Sequence, residues 1–376
     1  MYLYILPTNN ASINFIYFPS MAFLSALKNT TVFGKKNYKT LNNLLLKKQV
    51  SKIFILCDEN THPLCLPLLL QELSATLSYE IIEVESGESN KDIATCQHLW
   101  DTLSDLGGDR KSILINLGGG IITDMGGFVA STFLRGIAFI NIPTSLLGMV
   151  DAAIGGKTGV NRKNIKNQIG VFSQALLTLV DTQYLKTLPQ QQLRSGLAEM
   201  LKHGLISDKA YWKELSNLNQ LRTEDLERLI QQSMEIKARV TTADNREQGL
   251  LKILNYGHTL GHAIESYCMD NANKTPLLHG EAIAIGMILE AYLSHKICGL
   301  SSMELTEIKQ VILHSFPKVS FNPTEIQALL KLLIYDKKNE KGHINFVLLN
   351  KIGEAQIDCE VPEDLIFEAF AYYQEN

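Results

Sequence analysis

Three histidines within a short stretch are the side chains in this sequence best suited to metal chemistry. His258 and His262 stand four residues apart, which places them on one face of a predicted helix, and His279 begins the next helical stretch. Two histidines and one carboxylate with an open position form a common catalytic zinc site, and Glu199 in Gly-Leu-Ala-Glu offers a carboxylate. The spacing leaves open which two histidines bind metal. The HExxH motif of zinc proteases is absent, so protease activity is disfavoured.

A glycine run lies in the segment 116–124, which reads NLGGGIITD. Consecutive glycines after a predicted strand let the backbone approach a ligand closely. A helix that begins there offers free N–H groups to a pyrophosphate. The spacing is not GxGxxG, so the standard dinucleotide fingerprint is absent. The alternative is a tight turn with close helix–strand packing, and this motif alone does not decide between the two.

A basic, glycine-containing segment follows at 151–167. It holds Lys157, Lys163 and Lys166 together with Asn161 and Asn167. Lysine supplies a mobile positive charge and asparagine an amide donor, so a loop of this composition suits a phosphate or a carboxylate. The spacing is not that of a Walker A loop, which disfavours nucleotide hydrolysis. The alternative interpretation is a solvated basic loop.

These motifs lie within two predicted regions of different secondary structure. Strands alternate with amphipathic helices in the first half, which is typical of parallel βαβ units; strands are predicted at 51–57, 81–84, 112–117 and 139–142, and helices at 38–49, 64–77 and 90–106. Helical periodicity dominates after residue 190 and one late strand is predicted at 344–349; the helices are predicted at 190–206, 208–217, 223–243, 255–268, 279–298, 303–314 and 323–334. The predicted architecture is a Rossmann-like α/β domain (29–189) followed by a mainly helical domain (190–376), with 1–28 as an extension or first strand.

Length and composition agree with a two-domain globular protein. The chain has 376 residues, 45% hydrophobic and 20% charged, which excludes a disordered protein. The net charge of −4 gives no sign of a nucleic-acid partner. Six cysteines without a CxxC pair are typical of free thiols in a reducing cytoplasm. The uncharged run 1–27 lacks the positive region of a signal peptide, and Pro7, Asn9 and Asn14 interrupt it, so no membrane role is expected.

In order along the chain, the motifs resemble those of the 3-dehydroquinate synthases, a branch of the sugar phosphate cyclase family. The resemblance covers roughly residues 30–360 and is carried by GGGIITDMGGFVAS, FLRGI, NIPTSLLGMVDAAIGGKTGVN, KNQIGVF, GLAEMLKHG, LNYGHTLGHAIES, LHGEAIAIGM and DKKN.

The resemblance implies the second step of the shikimate pathway, which leads to chorismate and the aromatic amino acids. A seven-carbon keto-acid sugar phosphate (3-deoxy-D-arabino-heptulosonate 7-phosphate) would become 3-dehydroquinate and phosphate. The implied sequence is transient NAD-dependent oxidation, phosphate elimination, reduction, ring opening and intramolecular aldol closure. The implied cofactors are NAD and a divalent metal, Zn²⁺ or Co²⁺. The implied enzyme is a cytoplasmic homodimeric lyase.

The resemblance also implies roles for individual residues. Glu199, His258 and His279 would bind the metal, and His262 would contact substrate or handle a proton. The implied substrate residues are Asp151, Lys157, Asn167, Lys202, Lys237 and Asn255, with Lys337 or Lys338 closing over the substrate. Arg135 would reach the phosphate site from the partner subunit. The implied cofactor residues are Asp58, Asn60, Glu88, Lys91, Gly119, Gly120, Asp124, Thr144, Ser145, Lys166 and Thr187.

One position departs from the family pattern. Leu251 stands where the family usually has an arginine that anchors the substrate, seven residues before His258. Loss of a charge-assisted hydrogen bond costs about 1.5–3 kcal/mol. Lys252 is about 100° further around a helix and is not expected to replace that arginine directly.

This departure keeps alternative functions open. Leu251 favours another sugar phosphate cyclase, acting on a substrate without a carboxylate. Asn255 and Lys237 favour the dehydroquinate-type substrate, because relatives with other substrates tend to carry an acidic residue at the position of Asn255. A polyol dehydrogenase on a similar scaffold is disfavoured by the lysines of segment 157–166, and a non-catalytic binding protein by the presence of every implied ligand.

Overall fold

A computed structural model describes residues 30–74, 76–163, 165–217, 223–243, 249–334 and 344–375. The predicted extension 1–28 lies outside the described residues, as do Lys337 and Lys338.

The first half is built on a six-stranded sheet whose paired strands all run parallel. The strands are β1 (Thr31–Phe33), β2 (Ile53–Asp58), β3 (Tyr79–Val84), β4 (Ile113–Gly118), β5 (Ala138–Pro143) and β8 (Leu177–Val180). Their order across the sheet is β1-β8-β5-β4-β2-β3. The central strands β2 and β4 are apolar on both faces and almost wholly buried. This burial explains why their sequences read as continuous aliphatic runs.

Helices cover both faces of the sheet: α1 (Tyr38–Lys47), α2 (Thr61–Glu72), α3 (Ile93–Asp105) and α4 (Gly120–Thr132). Ile53 and Ile55 of β2 share a core with α1 and α2, whereas Phe54 and Leu56 share the other core with α3 and α4. Successive side chains of a strand point to opposite faces, so one strand contributes to two cores. The predicted Rossmann-like architecture is confirmed.

The lysine-containing segment at 157–166 is not a loop, and the sequence-based expectation there was wrong. It belongs to an antiparallel hairpin of β6 (Lys157–Arg162) and β7 (Ile165–Phe172). Gly159 pairs with Gly170, and a Cβ added to Gly170 would lie 2.3 Å from the carbonyl oxygen of Thr158. The glycines of this segment therefore permit close approach of two strands.

The second half is mainly helical, as predicted. Its helices are α5 (Gln190–Ser207), α6 (Lys209–Leu215), α7 (Thr223–Ala243), α8 (His258–Asp270), α9 (His279–Ile297), α10 (Ser302–Ser315), α11 (Pro323–Ile334) and α12 (Glu363–Gln374). The predicted late strand is β9 (Asn345–Lys351), which forms a hairpin with β10 (Glu354–Glu360). The sequence analysis predicted neither β10 nor α12. Among the described residues, no helix is long and apolar enough to cross a membrane.

Helices α8 and α9 pack unusually closely, and glycines make this possible. A Cβ added to Gly286 of α9 would lie 2.0 Å from the carbonyl oxygen of Gly257, the residue just before α8. A Cβ added to Gly261 of α8 would lie 2.7 Å from Ile283. Because α8 and α9 each begin at a histidine, this contact sets the distance between His258 and His279.

Candidate active site

Glu199 and two histidines converge from three different helices. Glu199 on α5 is buried at 0% exposure. Its Oε1 atom lies 3.5 Å from His258 Nε2 and 3.6 Å from His279 Nε2. Ligand atoms about 2.0–2.2 Å from one zinc ion at tetrahedral angles are separated by distances of this size. The three side chains are therefore spaced to share one metal ion.

Both imidazoles are held in the orientation that a metal site requires. His258 Nδ1 lies 3.1 Å from the carbonyl oxygen of Tyr256, and His279 Nδ1 lies 3.2 Å from Glu265 Oε2. Each Nδ1–H donates to its acceptor, which directs Nε2 of both rings towards Glu199.

The electrostatics of the cluster favour a positive charge at its centre. Burial acts to lower the pKa of His279, but contacts with Glu199 and Glu265 outweigh it and raise the pKa to about 9. Burial acts to raise the pKa of Glu199, but Lys202 and His279 hold it below its ordinary value. Within the described part of the chain, Glu199 Oε1 is buried and completes no hydrogen bond. A buried, unsatisfied carboxylate oxygen facing two imidazoles fits a divalent cation.

His262 completes a cluster of three imidazoles. Its ring centroid lies 5.0 Å from that of His258 and 5.6 Å from that of His279. Ligand atoms of the three rings come within 4.8 Å of one another. The predicted grouping of the three histidines is therefore observed, and Glu199 Oε1 is the carboxylate atom that faces His258 and His279.

A second group of possible ligand atoms consists of Asp151, Glu199 and His203. Lysines already neutralise its carboxylates, because Lys202 contacts Glu199 Oε2 and Lys237 Nζ lies 2.7 Å from Asp151 Oδ1. Burial, followed by the charge of Lys202, lowers the pKa of His203 to about 3. This group therefore suits a cation less well than the histidine cluster.

The predicted cofactor residues gather mainly at the carboxyl ends of the parallel strands. Asp58 ends β2, and the glycines 119–120 follow β4 where α4 begins. The chain passes from β2 to β3 on one side and then to β4 on the other, so strand order reverses between β2 and β4. Dinucleotides bind at such a switch point in open α/β sheets. The other predicted residues that follow strand ends on this edge are Asn60, Glu88, Lys91, Thr144, Ser145 and Thr187.

Lys91 connects this edge to the β6–β7 hairpin. Its ammonium group is buried and donates to Asp124 Oδ2 and to Asn167 Oδ1, both at 2.7 Å. Asn161 in turn donates to Glu88 Oε1 at 2.8 Å. These side chains are thus held at fixed positions beside the strand ends.

Lys166 is directed towards the histidine cluster. Its Nζ lies 2.7 Å from Glu265 Oε1, and the other oxygen of Glu265 contacts His279. Sequence reasoning missed Glu265. The signal was present, because Glu265 stands seven residues after His258 and three after His262, on the same face of α8.

The remaining predicted residues lie at the edges of this region. Lys157 is exposed at the first residue of β6, and Asn255 is half-buried three residues before His258. Arg135 is exposed and, like Leu134, adopts a left-handed backbone conformation (φ 69° and 50°).

Leu251 is buried at 6% exposure in the core of the helical half. The ammonium group of Lys252 lies 2.8 Å from Asp358 Oδ1 on β10. This pairing agrees with the expectation that Lys252 does not replace the missing arginine.

Solved structures with this architecture include sugar phosphate cyclases. A 2-deoxy-scyllo-inosose synthase complexed with carbaglucose-6-phosphate, NAD⁺ and Co²⁺ matches with a TM-score of 0.79 at 24% identity, covering 91% of this chain and 96% of that one. A 2-epi-5-epi-valiolone synthase from Streptomyces hygroscopicus subsp. jinggangensis, with NAD⁺ and Zn²⁺ bound, matches with a TM-score of 0.77 at 25% identity, covering 97% and 99%. A glycerol dehydrogenase from Schizosaccharomyces pombe shares the fold at a TM-score of 0.62 and 15% identity, covering 92% and 90%.

Sequence comparison narrows this class. The families described as 3-dehydroquinate synthase N-terminal and 3-dehydroquinate synthase C-terminal match residues 81–195 and 196–339. The 3-dehydroquinate synthase of Parabacteroides distasonis is 41% identical over 338 residues, 89% of this chain and 95% of the relative. That of Campylobacter concisus is 40% identical over 339 residues, 90% and 96%. The chain belongs to the 3-dehydroquinate synthase family.

Proposed function

We propose that the protein is a 3-dehydroquinate synthase, a phosphate-eliminating carbon–oxygen lyase. It would convert 3-deoxy-D-arabino-heptulosonate 7-phosphate into 3-dehydroquinate and phosphate. The observation that carries the proposal is Glu199 Oε1, which lies nearly equidistant from His258 Nε2 and His279 Nε2 in a member of this family. Curated relatives with this name are about 40% identical, whereas the solved 2-deoxy-scyllo-inosose synthase is 24% identical and supports the fold alone.

Glu199, His258 and His279 would hold a divalent metal, Zn²⁺ or Co²⁺. The strand-end residues led by Asp58, Gly119 and Gly120 would hold NAD. When bound, NAD would supply a reversible hydride acceptor and the metal a Lewis acid for the substrate oxygen. The fit of the metal rests on the unsatisfied Oε1 of Glu199 and on the orientation of both imidazoles.

Charged side chains beside the cluster would orient the substrate and the ligands. Lys202 is 2% exposed and contacts Glu199 Oε2, so it keeps that carboxylate ionised and fixes its rotation. Lys237 donates to both the carbonyl oxygen and Oδ1 of Asp151, at 2.6 and 2.7 Å, which anchors the π-helix Gly148–Ala152 to α7. Lys202 and Lys237 would supply positive charge next to the proposed metal ligands, where a keto-acid sugar phosphate needs it.

Other residues would bind the phosphate and move protons. Lys157 and Asn167 lie on the β6–β7 hairpin and offer an ammonium group and an amide. His262 is within reach of the other two imidazoles and would accept or donate a proton at its ring nitrogen. Asn255, three residues before His258, would donate a hydrogen bond to the substrate. The departing phosphate would serve as its own base, which leaves mainly positioning to the protein.

Asp58 would accept hydrogen bonds from an adenosine ribose. It ends β2 beside the switch point, and an acidic residue after an early strand commonly accepts hydrogen bonds from ribose hydroxyls. Gly119 is the N-cap of α4, so the free N–H groups of that helix begin next to Asp58's strand and would face a pyrophosphate.

The second candidate is a cyclase for a sugar phosphate without a carboxylate. The buried Leu251 favours it, because no arginine is present there to bind a substrate carboxylate. The ammonium group of Lys252 pairs with Asp358, so Lys252 would not replace that arginine. Asn255 and Lys237 favour the keto-acid substrate.

The assembly and the location of the enzyme are also proposals. A homodimer in which Arg135 of each subunit reaches the phosphate site of its partner follows from the family resemblance and fits the exposure of Arg135. The two domains would divide near residue 190. A cytoplasmic location remains a prediction, which the six free cysteines support.

Phosphate release by the purified protein with NAD and zinc tests the proposal. The heptulosonate phosphate and sedoheptulose 7-phosphate are supplied separately, and a chelator is added to a parallel sample. Release only from the heptulosonate phosphate, lost with the chelator, is the expected result. Release only from sedoheptulose 7-phosphate would refute the dehydroquinate synthase assignment and identify Leu251 as the mark of a changed substrate. A Glu199→Gln variant serves as the control, because it removes the ligand charge.

A further inference from the structure

Glu290 is a buried carboxylate that the proposed chemistry does not use. It lies on α9, about three turns after His279, and its exposure is 0%. Its Oε2 accepts a hydrogen bond from the backbone N–H of Gly257 at 2.6 Å, and its Oε1 accepts one from Leu260 at 3.2 Å. Both donors belong to the beginning of the neighbouring helix α8.

These two backbone groups are the ones that a capping box normally satisfies. Gly257 is the N-cap of α8, and Leu260 is its third helical residue. In a capping box the N-cap side chain bonds the third N–H, and the third side chain bonds the N-cap N–H. One carboxylate from α9 makes both bonds here.

The α8 helix cannot supply these bonds itself. Its N-cap is a glycine in the left-handed region (φ 77°), and its third residue is a leucine. A Cβ added to Gly257 would lie 2.6 Å from Met287 Cγ and 3.2 Å from the carbonyl oxygen of Ile283. The close packing of α8 on α9 thus excludes a capping side chain, and buried N–H groups without a partner are strongly destabilising.

The location of this cap ties it to the histidine cluster. Helix α8 begins at His258, directly after Gly257, and Glu290 belongs to the helix that begins at His279. Tyr256 reinforces the connection, because its hydroxyl donates to the carbonyl oxygen of Met287 at 2.9 Å and its own carbonyl orients His258. A negative charge at the beginning of α8 also interacts favourably with the helix dipole.

We infer that Glu290 is a positioning residue for the metal site. By capping α8 from α9 it fixes His258 relative to His279. The inference rests on the proposed function, because it takes these two histidines as ligands of one metal ion. Both carboxylate oxygens of Glu290 bond the beginning of α8, so its effect should appear in metal affinity and in the geometry of the site.

Zinc affinity of two Glu290 variants tests the inference. Glu290→Ala removes both hydrogen bonds. Glu290→Gln keeps the shape but has one carbonyl oxygen in place of two, so it leaves one N–H unpaired. Leu293→Ala is the matched control, because it empties a fully buried position on the same helix, further from His279. Zinc dissociation constants are measured on the full-length protein by competition with a chromogenic chelator.

We expect Glu290→Ala to weaken zinc binding by about 10- to 100-fold, and Glu290→Gln by a smaller factor. Leu293→Ala should lower the melting temperature while leaving zinc affinity unchanged. Amide hydrogen exchange gives a second readout, since the N–H groups at 257–260 should exchange faster in Glu290→Gln. The absorption spectrum of bound Co²⁺ should shift in both Glu290 variants, because it reports ligand geometry.

The inference would be overturned if both Glu290 variants matched the wild type in zinc affinity, in the cobalt spectrum and in exchange rates. If Glu290→Ala does not fold, the measurements on Glu290→Gln alone decide whether the inference holds. Failure of the wild-type protein to bind zinc would instead refute the metal site of the proposed function, and the positioning role with it. The two failures are therefore distinguishable, because one appears in the variants and the other in the wild type.

Discussion

Substitution of Gly286 by alanine tests whether close packing of α8 on α9 determines the geometry of the proposed metal site. Gly286 is in the interior of α9, so its backbone conformation accepts any residue. Its added Cβ, however, would lie 2.0 Å from the carbonyl oxygen of Gly257 and 2.9 Å from the amide nitrogen of Gly261. Both neighbours are backbone atoms, which no side-chain rotation can move aside. The two helices would have to separate by about 1 Å or more to restore an ordinary contact.

The size of the effect follows from two opposing contributions. Overpacking a well-filled core costs about 1–3 kcal/mol, and the backbone clash places Gly286→Ala at the upper end of that range. Alanine in a helix interior gains about 1 kcal/mol over glycine. We therefore expect a net loss of about 2 kcal/mol in the free energy of unfolding. Metal ligands tolerate errors of only about 0.2 Å, so zinc affinity should fall at least about tenfold.

Gly299→Ala is the matched control for this experiment. Gly299 follows the other end of α9, has φ +82°, and an added Cβ would meet no atom within 4 Å. Alanine in that left-handed conformation costs about 1–2 kcal/mol without crowding any neighbour. Urea unfolding should show similar losses for both variants, whereas zinc affinity should fall only in Gly286→Ala. If Gly286→Ala bound zinc as tightly as Gly299→Ala, the proposed dependence of the site on this helix contact would be refuted.

Three further predictions concern individual contacts. Glu265→Gln weakens the acceptor of His279 Nδ1, so zinc affinity measured by calorimetry should fall about tenfold; an unchanged affinity would contradict the orienting role. Tyr38→Phe removes the buried hydroxyl pair with Tyr184, 2.8 Å long, and urea unfolding should show a loss of about 1 kcal/mol; no loss would mean that the bond contributes nothing net. In zinc-free protein, contacts raise the pKa of His279 from 6.5 to about 9, so their stabilisation is fully present below pH 6.5 and disappears as pH rises through 9. The difference in the free energy of unfolding between wild type and Glu265→Gln should therefore shrink over that range. A constant difference would refute the pH-dependent stabilisation by these contacts.

The sequence predicts β2, β4 and β5 because these strands are buried on both faces, whereas β1 and β8 were not predicted. The run Ile113–Gly118 is buried throughout and apolar except for Asn116, which is typical of a parallel strand covered by helices on both faces. The β6–β7 hairpin escaped prediction for the opposite reason. Ile165–Phe172 is almost wholly exposed, so no apolar periodicity marks the hairpin. Only two residues separate β6 from β7, but they are Lys and Asn rather than the Asn-Gly or Asp-Gly pair that signals such a turn.

In the candidate site, too, contacts between residues close in the sequence could be predicted, and contacts between distant residues could not. His258 and His262 share a helix face, and four-residue spacing is enough to predict that. Glu265 lies on that face too, and its spacing was the available signal, but its residue type adds nothing because a glutamate on a helix is ordinarily solvated. The bonds from Glu290 to Gly257 and Leu260 join residues 30 and 33 positions apart on different helices. Only the packing of α8 on α9 brings them together.

Helix α9 supports the whole cluster, although its sequence is that of an ordinary buried apolar helix. Gly280 lies where α5 crosses it: its N–H donates to Ser195 Oγ at 2.9 Å, and an added Cβ would lie 2.1 Å from the carbonyl oxygen of Ser195. Ser195 is one turn before Glu199, so this contact places the carboxylate. Gly286 lies where α8 crosses α9, against Gly257, so this contact positions His258 at the beginning of α8. Because His279 belongs to α9 itself, the two glycines fix all three proposed ligands relative to one helix. Alanine at either glycine should therefore affect metal affinity more than the loss of a large buried side chain elsewhere on α9.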